Sequence, residues 1–292
     1  MKVVLFVVVS FIALTGWSQA ITDHYKIYDT RQKKIISLQE MAEGVRDANV
    51  VFFGEEHNDS IGHYLEAELA RALYALHGER LTISMEMFET DCQLVLNEYL
   101  AGYISEERFS KEARIWNNYK DYKPIVELAK TNKLDVIAAN PPRRYVNMVS
   151  RKGMRSLDSL PKDSKKFLPP LPYDTLGGRY REKFLGFMQG GSPGTNNFRI
   201  YYSQSLWDAG MSYSIYKYWK KHRDQKILHF VGRFHSDEKL GTAEQLQMRS
   251  SKLRIMNISS FSDESFGNPD WEKFSVLGDY VIITDPTVKK TF

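Results

Sequence analysis

Four residues of this sequence combine reactive chemistry with a telling position: Glu55, His57, Glu86 and His235. Each stands just after a short apolar run. Val50-Val51-Phe52-Phe53 leads into Gly54-Glu55-Glu56-His57, the run 81–85 into Glu86-Met87-Phe88-Glu89, and the run 227–231 into Gly232-Arg233-Phe234-His235. A further run, 134–138, ends at Asn140-Pro141-Pro142. In extended chain, residues two apart point the same way, so Glu55 and His57 can face one site together. Two imidazoles with two or three carboxylates suit a divalent metal held by Glu55, His57, Glu86 and His235. They suit general acid–base catalysis by the same four equally well. Taken singly, a Glu or His after a strand is more often a solvated turn residue or a helix cap, and Asp59 or Ser60 reads as such a cap. Recurrence at successive runs is what singles these positions out.

The runs themselves indicate what positions them. Short strands are expected at 25–28 and 34–37, then a helix at about 39–45. The runs at 50–53, 81–85, 134–138, 227–231, 253–258 and 280–284 alternate with helical segments. One of these carries Ile61, Leu65, Leu69, Leu73 and Leu76 on one face with Gly78 as C-cap, and another carries Leu94, Val95 and Leu100. That alternation predicts an α/β fold, a three-layer α/β/α arrangement with a mainly parallel sheet. In such a sheet ligands bind outside the carboxyl ends of the strands, where the four residues fall. The stretch 157–222 breaks the rhythm with a Pro-rich start, Gly177-Gly178 and Gly190-Gly191 turns and a long helix from about 197. It reads as a helical insertion within one domain spanning 21–292. His229, inside its strand, is expected in or beside the core.

Composition excludes several classes. The 292 residues are 42% hydrophobic and 26% charged, ordinary for a globular protein, and the net charge of +4 comes with no long basic run. Nucleic acid is therefore not an expected partner. Residues 1–20 read as a signal peptide: Lys2, an apolar stretch 3–14 interrupted only by Ser10, and small residues at Ser18 and Ala20. About 12 apolar residues fall short of the roughly 20 needed to span a bilayer. Export, to the periplasm or as a secreted protein, with cleavage after Ala20 is expected. The single cysteine, Cys92, makes no internal disulfide and offers no lipid attachment at the signal junction, so a lipoprotein is not expected.

With these motifs the chain resembles the ChaN-like haem-binding uptake proteins, of a superfamily shared with the Tiki proteases and the erythromycin esterases. The resemblance rests on Gly54-Glu55-Glu56-His57, Glu86-Met87-Phe88, Ala139-Asn140-Pro141-Pro142-Arg143-Arg144, Gln204-Ser205-Leu206-Trp207-Asp208-Ala209-Gly210-Met211 and Gly232-Arg233-Phe234-His235. It covers roughly residues 40 to 285. Two departures stand out: there is no lipobox cysteine, and Gln189 follows Phe187-Met188 where the family tends to carry a histidine.

The resemblance implies haem as cofactor, bound outside the cytoplasm by His57, Asn140, Arg143, Arg144, Tyr201, Tyr202, Gln204, Trp207, Asp208 and His235. A tyrosine of the insertion (Tyr173, Tyr180, Tyr201, Tyr202, Tyr213, Tyr216 or Tyr218) would be the iron ligand. Ferric haem accepts tyrosinate, and Arg143 and Arg144 would pair with the propionates. A homodimer and a haem-uptake machinery are the implied partners. The expected function is non-catalytic haem uptake. The alternative is a hydrolase, metal-dependent or not, with Glu55, His57, Glu86 and His235 as catalytic residues.

Overall fold

The computed structural model describes residues 21–189 and 197–292. The stretch read as a signal peptide, 1–20, and the turn expected at Gly190-Gly191 lie outside the described residues. The strands are β1 (Tyr25–Asp29), β2 (Lys34–Ile36), β3 (Val50–Glu55), β4 (Leu81–Glu89), β5 (Val136–Asn140), β6 (Lys226–Gly232), β7 (Ile255–Ser262) and β8 (Tyr280–Thr284). The main helices are α1 (Leu38–Val45), α2 (Ser60–His77), α3 (Gln93–Leu100), α4 (Glu106–Glu112), α5 (Tyr119–Thr131), α6 (Arg143–Lys152), α7 (Gly178–Gln189), α8 (Asn197–Lys221) and α9 (Thr242–Arg249). One eight-stranded sheet has the order β2-β1-β8-β7-β3-β6-β4-β5. Only β1 runs antiparallel to its neighbours, β2 and β8; the other pairs are parallel.

Strand β3 shows why the fold has three layers. All six of its residues are buried, and side chains alternate between the two faces. Val51 and Phe53 join Met41 of α1, Leu65 and Leu69 of α2, and Ile125 of α5. Val50 and Phe52 turn the other way, to Met211, Ile215 and Trp219 of α8 and Leu246 of α9. Helix α2 begins at its N-cap Asp59, whose side chain accepts from Ile61 N, and ends at Gly78 with φ +58°. There the positive φ favours glycine over residues with a Cβ.

Several boundaries differ from the sequence expectation. β4 does not stop at Met85 but continues to Glu89, so Glu86 lies inside the strand. The register with β5 shifts between Met85 and Glu89, and such an irregularity re-aims side chains where pairing is broken. Asn140 likewise closes β5 from within. In α3, Leu94 is 68% exposed, and Leu96 and Tyr99 face the core in its place. Helix α3 lies where a helix after β4 is expected, whereas α4 and α5, between α3 and β5, and α6 after β5 have no counterpart in the sequence reading. His229 is buried, with Nδ1 2.9 Å from Ser84 Oγ; burial depresses its pKa to about 3. Among the described residues no helix is long and apolar enough to cross a membrane.

Candidate functional site

Because β3, β4, β5 and β6 are parallel neighbours, their carboxyl ends share one edge of the sheet. On the β3 side stands a buried carboxylate with an imidazole in front of it. Glu55 Oε1 accepts from Tyr122 Oη at 2.8 Å and lies 2.9 Å from His57 Nδ1. A carboxylate only accepts, so this contact places a proton on Nδ1 and turns Nε2 toward the crevice. The His57 side chain is 38% exposed whereas Glu55 is fully covered. Burial alone would lower the His57 pKa, but the Glu55 hydrogen bond and the carboxylate of Glu86 outweigh it and raise the value to about 9. Trp116 meets the ring edge-on, centroids 5.1 Å apart.

On the far side of the crevice a second such pair faces the first. His235 Nδ1 is 2.7 Å from Asp208 Oδ1. Asp208 also accepts from Tyr180 Oη at 2.5 Å and Thr242 Oγ1 at 2.8 Å. Burial opposes a charged His235, yet Asp208 raises its pKa. Gln204 Nε2 lies 3.2 Å from His235 Nδ1 and donates to Tyr180 Oη at 3.1 Å. Between the two pairs sits Glu86: its Oε2 accepts from Gly232 N at 2.7 Å, and its Oε1 is 3.9 Å from His235 Nε2.

Gly232 is where the halves meet. A Cβ there would lie 2.8 Å from His57 Nε2, closer than real contacts allow. Gly232→Ala is expected to push the His57 ring aside and to cost about 1–3 kcal/mol. Urea denaturation measures the loss, and an unchanged midpoint would show that the ring does not rest on this glycine.

The other sequence-predicted residues divide. Asn140 is buried at the end of β5, and its Oδ1 has no hydrogen-bond partner among the described residues. Trp207 meets His235 edge-on at 6.3 Å. Arg144 pairs with Asp91 and stacks on Tyr145. Arg143 and Arg144 line a cleft of about 520 Å³ with Trp116, Arg114 and Glu89. A cavity of about 550 Å³ lies elsewhere, between the outer edge of β5 and the later turns of α8, and contains none of the four crevice residues. Tyr201 is buried and donates to the Leu176 carbonyl. Tyr173 is buried too and donates to the Tyr202 carbonyl at 2.8 Å. Tyr218 donates to Asp135 at 2.6 Å and meets Thr82, residues at the amino end of the strands.

The four residues read as a metal set do not gather at coordinating distance. Glu55 Oε2 turns inward, away from Glu86, and sits 3.2 Å from His63 Nδ1. His63, Glu66 and Tyr122 are the functional-looking residues that sequence reasoning missed. Their one legible signal was the His63/Glu66 spacing of three on a helix, which places both on one side.

Fold and site together define a three-layer α/β protein whose polar crevice opens at the carboxyl ends of β3, β6 and β4. The chain belongs to the haem-binding uptake family of the Tiki superfamily, the ChaN family, whose model matches residues 41–246. The structure of ChaN of Campylobacter jejuni, which binds haem cofacially, is similar in fold. It is 18% identical, with 90% of this chain and 97% of that one covered and a TM-score of 0.68. An erythromycin esterase, EreC, is 14% identical over 90% of this chain and 83% of that one, TM-score 0.48. Among curated proteins, RETICULATA-RELATED 5, chloroplastic, of Arabidopsis thaliana is 25% identical over 146 residues, 47% of this chain. The match spans 19% of that relative's length.

Proposed function

We propose that this protein is exported and binds haem for haem or iron uptake, without turnover. The observation that carries the reading is the family match over 41–246, which takes in the crevice and the insertion above it. The cofacial haem of the Campylobacter jejuni relative points the same way. The residues present fit the group. Haem needs an aromatic wall, cations for its propionates and an oxygen or nitrogen donor for iron. The cleft beside His57 has Trp116 as wall and Arg114, Arg143 and Arg144 at its rim. Of these, Arg144 and Arg114 are already paired with Asp91. Arg143 has no ion-pair partner among the described residues and is the first candidate for a propionate.

The test is a titration of the purified protein with haemin, followed by absorbance. A saturable spectrum distinct from free haemin is expected, and its absence at micromolar haemin would refute the reading. Export has its own check: exported material should begin at Ile21, and full-length protein held in the membrane fraction after a high-salt wash would contradict it.

A second reading has one observation in its favour, the two imidazole–carboxylate pairs His57–Glu55 and His235–Asp208 facing each other across Glu86. In a hydrolase, Glu55 would orient the His57 ring and Nε2, free of its proton only above the raised pKa of about 9, would take a proton from water at alkaline pH, with His235 placed to donate to a leaving group. Ester or peptide hydrolysis by wild type, abolished in His57→Ala, would replace the binding reading with this one.

A further inference from the structure

Behind His57, on the side away from the crevice, the first turns of α2 bring two carboxylates against one imidazole. His63 Nδ1 lies 3.0 Å from Glu66 Oε2 and 3.2 Å from Glu55 Oε2. One ligand atom from each of Glu55, His63 and Glu66 lies within 4.8 Å of the others. All three side chains are buried: Glu66 is 0% exposed, Glu55 2% and His63 5%. Two oxygens of the group, Glu55 Oε2 and Glu66 Oε1, are buried with no hydrogen-bond partner among the described residues. A carboxylate oxygen held away from water without a partner is costly unless a hydrogen-bond donor, a proton or a cation completes it.

The surroundings are those of a ligating histidine. His63 Nε2 is 3.1 Å from the His57 carbonyl oxygen. A carbonyl only accepts, so Nε2 carries a proton; the two carboxylates hold a second proton on Nδ1, and that proton is the one a cation would displace to gain the Nδ1 lone pair. A metal-bound histidine characteristically donates its other N–H to a backbone carbonyl. Asn118 Nδ2 donates to the same carbonyl at 3.1 Å. Glu55 is oriented likewise, because Tyr122 and His57 both bind its Oε1 and leave Oε2 facing His63.

We propose that Glu55, His63 and Glu66 form a divalent-cation site of the zinc class, which shares Glu55 with the crevice and lies beneath it. One nitrogen and two carboxylate oxygens are a zinc-compatible donor set, with a fourth position for water. Bonds of 2.0–2.2 Å place tetrahedral ligands roughly 3.3–3.5 Å apart. The present separations of 3.0 and 3.2 Å need to open by only a few tenths of an ångström. The cation would clamp the start of α2 to the end of β3 and fix Glu55, and through Glu55 the orientation of His57. His63, Glu55 and Glu66 are then positioning residues for the crevice.

The rival occupant is a proton on His63 Nδ1 shared between the two carboxylates, and Zn²⁺ itself is the probe that separates the two. Protein purified without chelator is expected to retain about one Zn²⁺ per chain by mass spectrometry of the metal. After chelation, added Zn²⁺ should raise the melting temperature saturably, at a ratio of about one. Glu66→Gln, which keeps shape and removes charge, should weaken Zn²⁺ binding at least tenfold, whereas Glu86→Gln in the crevice should leave it unchanged. If wild type holds no Zn²⁺ above background and its melting is indifferent to Zn²⁺, the proton is the occupant and the proposal fails. It fails equally if folded Glu66→Gln binds Zn²⁺ as tightly as wild type, or if Glu86→Gln abolishes binding. Haemin binding is read separately by absorbance, so failure here leaves the haem reading untouched.

Discussion

Asp208→Ala is expected to destabilise the protein by about 3–5 kcal/mol, the loss typical when one partner of a buried charged network is removed. The Asp208 side chain is fully buried and holds three groups at once: His235 Nδ1, Tyr180 Oη and Thr242 Oγ1. Alanine would leave all three without an acceptor, each carrying a desolvation penalty of about 1–3 kcal/mol, only partly relieved by entering water. The three come from different parts of the chain: α7, the turn after β6 and the start of α9. The loss should therefore loosen the insertion and the His235 side of the crevice together. Urea unfolding is the measurement, with a lower midpoint at unchanged slope as the signature of lost stability. Tyr180→Phe, which deletes one donor and leaves the carboxylate two others, should cost only about 1 kcal/mol. Equal losses for the two variants, or a loss under 1 kcal/mol for Asp208→Ala, would show that Asp208 does not organise this region.

The parallel part of the sheet was legible because strands such as β3, β5 and β8 are buried on both faces. Val50-Val51-Phe52-Phe53 has no polar residue to place against solvent, and β8 lies at the expected 280–284. The end of β4 was not legible. Glu86 breaks the apolar run by charge, yet the chain stays extended through Met87 and Phe88 to Glu89, where the register against β5 shifts and Glu86 accepts from Gly232 N. The crevice was readable to the extent that it follows strand ends, which local sequence reveals. What lies behind it was not, since Tyr122 meets Glu55 only when α5 lies beside α2. His63 sits between Ile61 and Leu65 in a helix whose apolar face dominates the pattern. Asp208 entered the sequence reading only through family resemblance. Its hydrogen bonds to residues 27, 28 and 34 positions away are tertiary facts.

Tyr202→Phe is expected to abolish the haemin spectrum, or weaken binding at least tenfold, while His57→Ala preserves it. The seven tyrosines of the insertion are alike in sequence, and the fold separates them. A phenol that ligates ferric iron does so as tyrosinate, so it must be able to lose its proton and must not be committed to a protein acceptor. Tyr173, Tyr180 and Tyr201 are committed, to the Tyr202 carbonyl, Asp208 and the Leu176 carbonyl. Burial raises the pKa of all three, for Tyr201 to about 12. Tyr218 donates to Asp135, and Tyr216 packs beside Trp219, toward the amino ends of the strands. Tyr213 lines the cavity along the edge of β5, away from His57 and His235. Tyr202 remains. It packs against the cluster of Tyr180 and Tyr201, whose Tyr180 shares Asp208 with His235; it is half-buried, and its phenol has no hydrogen-bond partner among the described residues. Phenylalanine there keeps the ring and its packing against Tyr201 and Tyr173 and removes only the oxygen, so a folded variant that has lost the spectrum isolates the iron bond. His57→Ala removes an imidazole engaged with Glu55, on the opposite side of the crevice from Tyr202's helix. Titration of both variants with haemin, beside a circular-dichroism check of folding, decides the matter. Undiminished binding by Tyr202→Phe, together with loss in His57→Ala, would move the iron ligand to the imidazole.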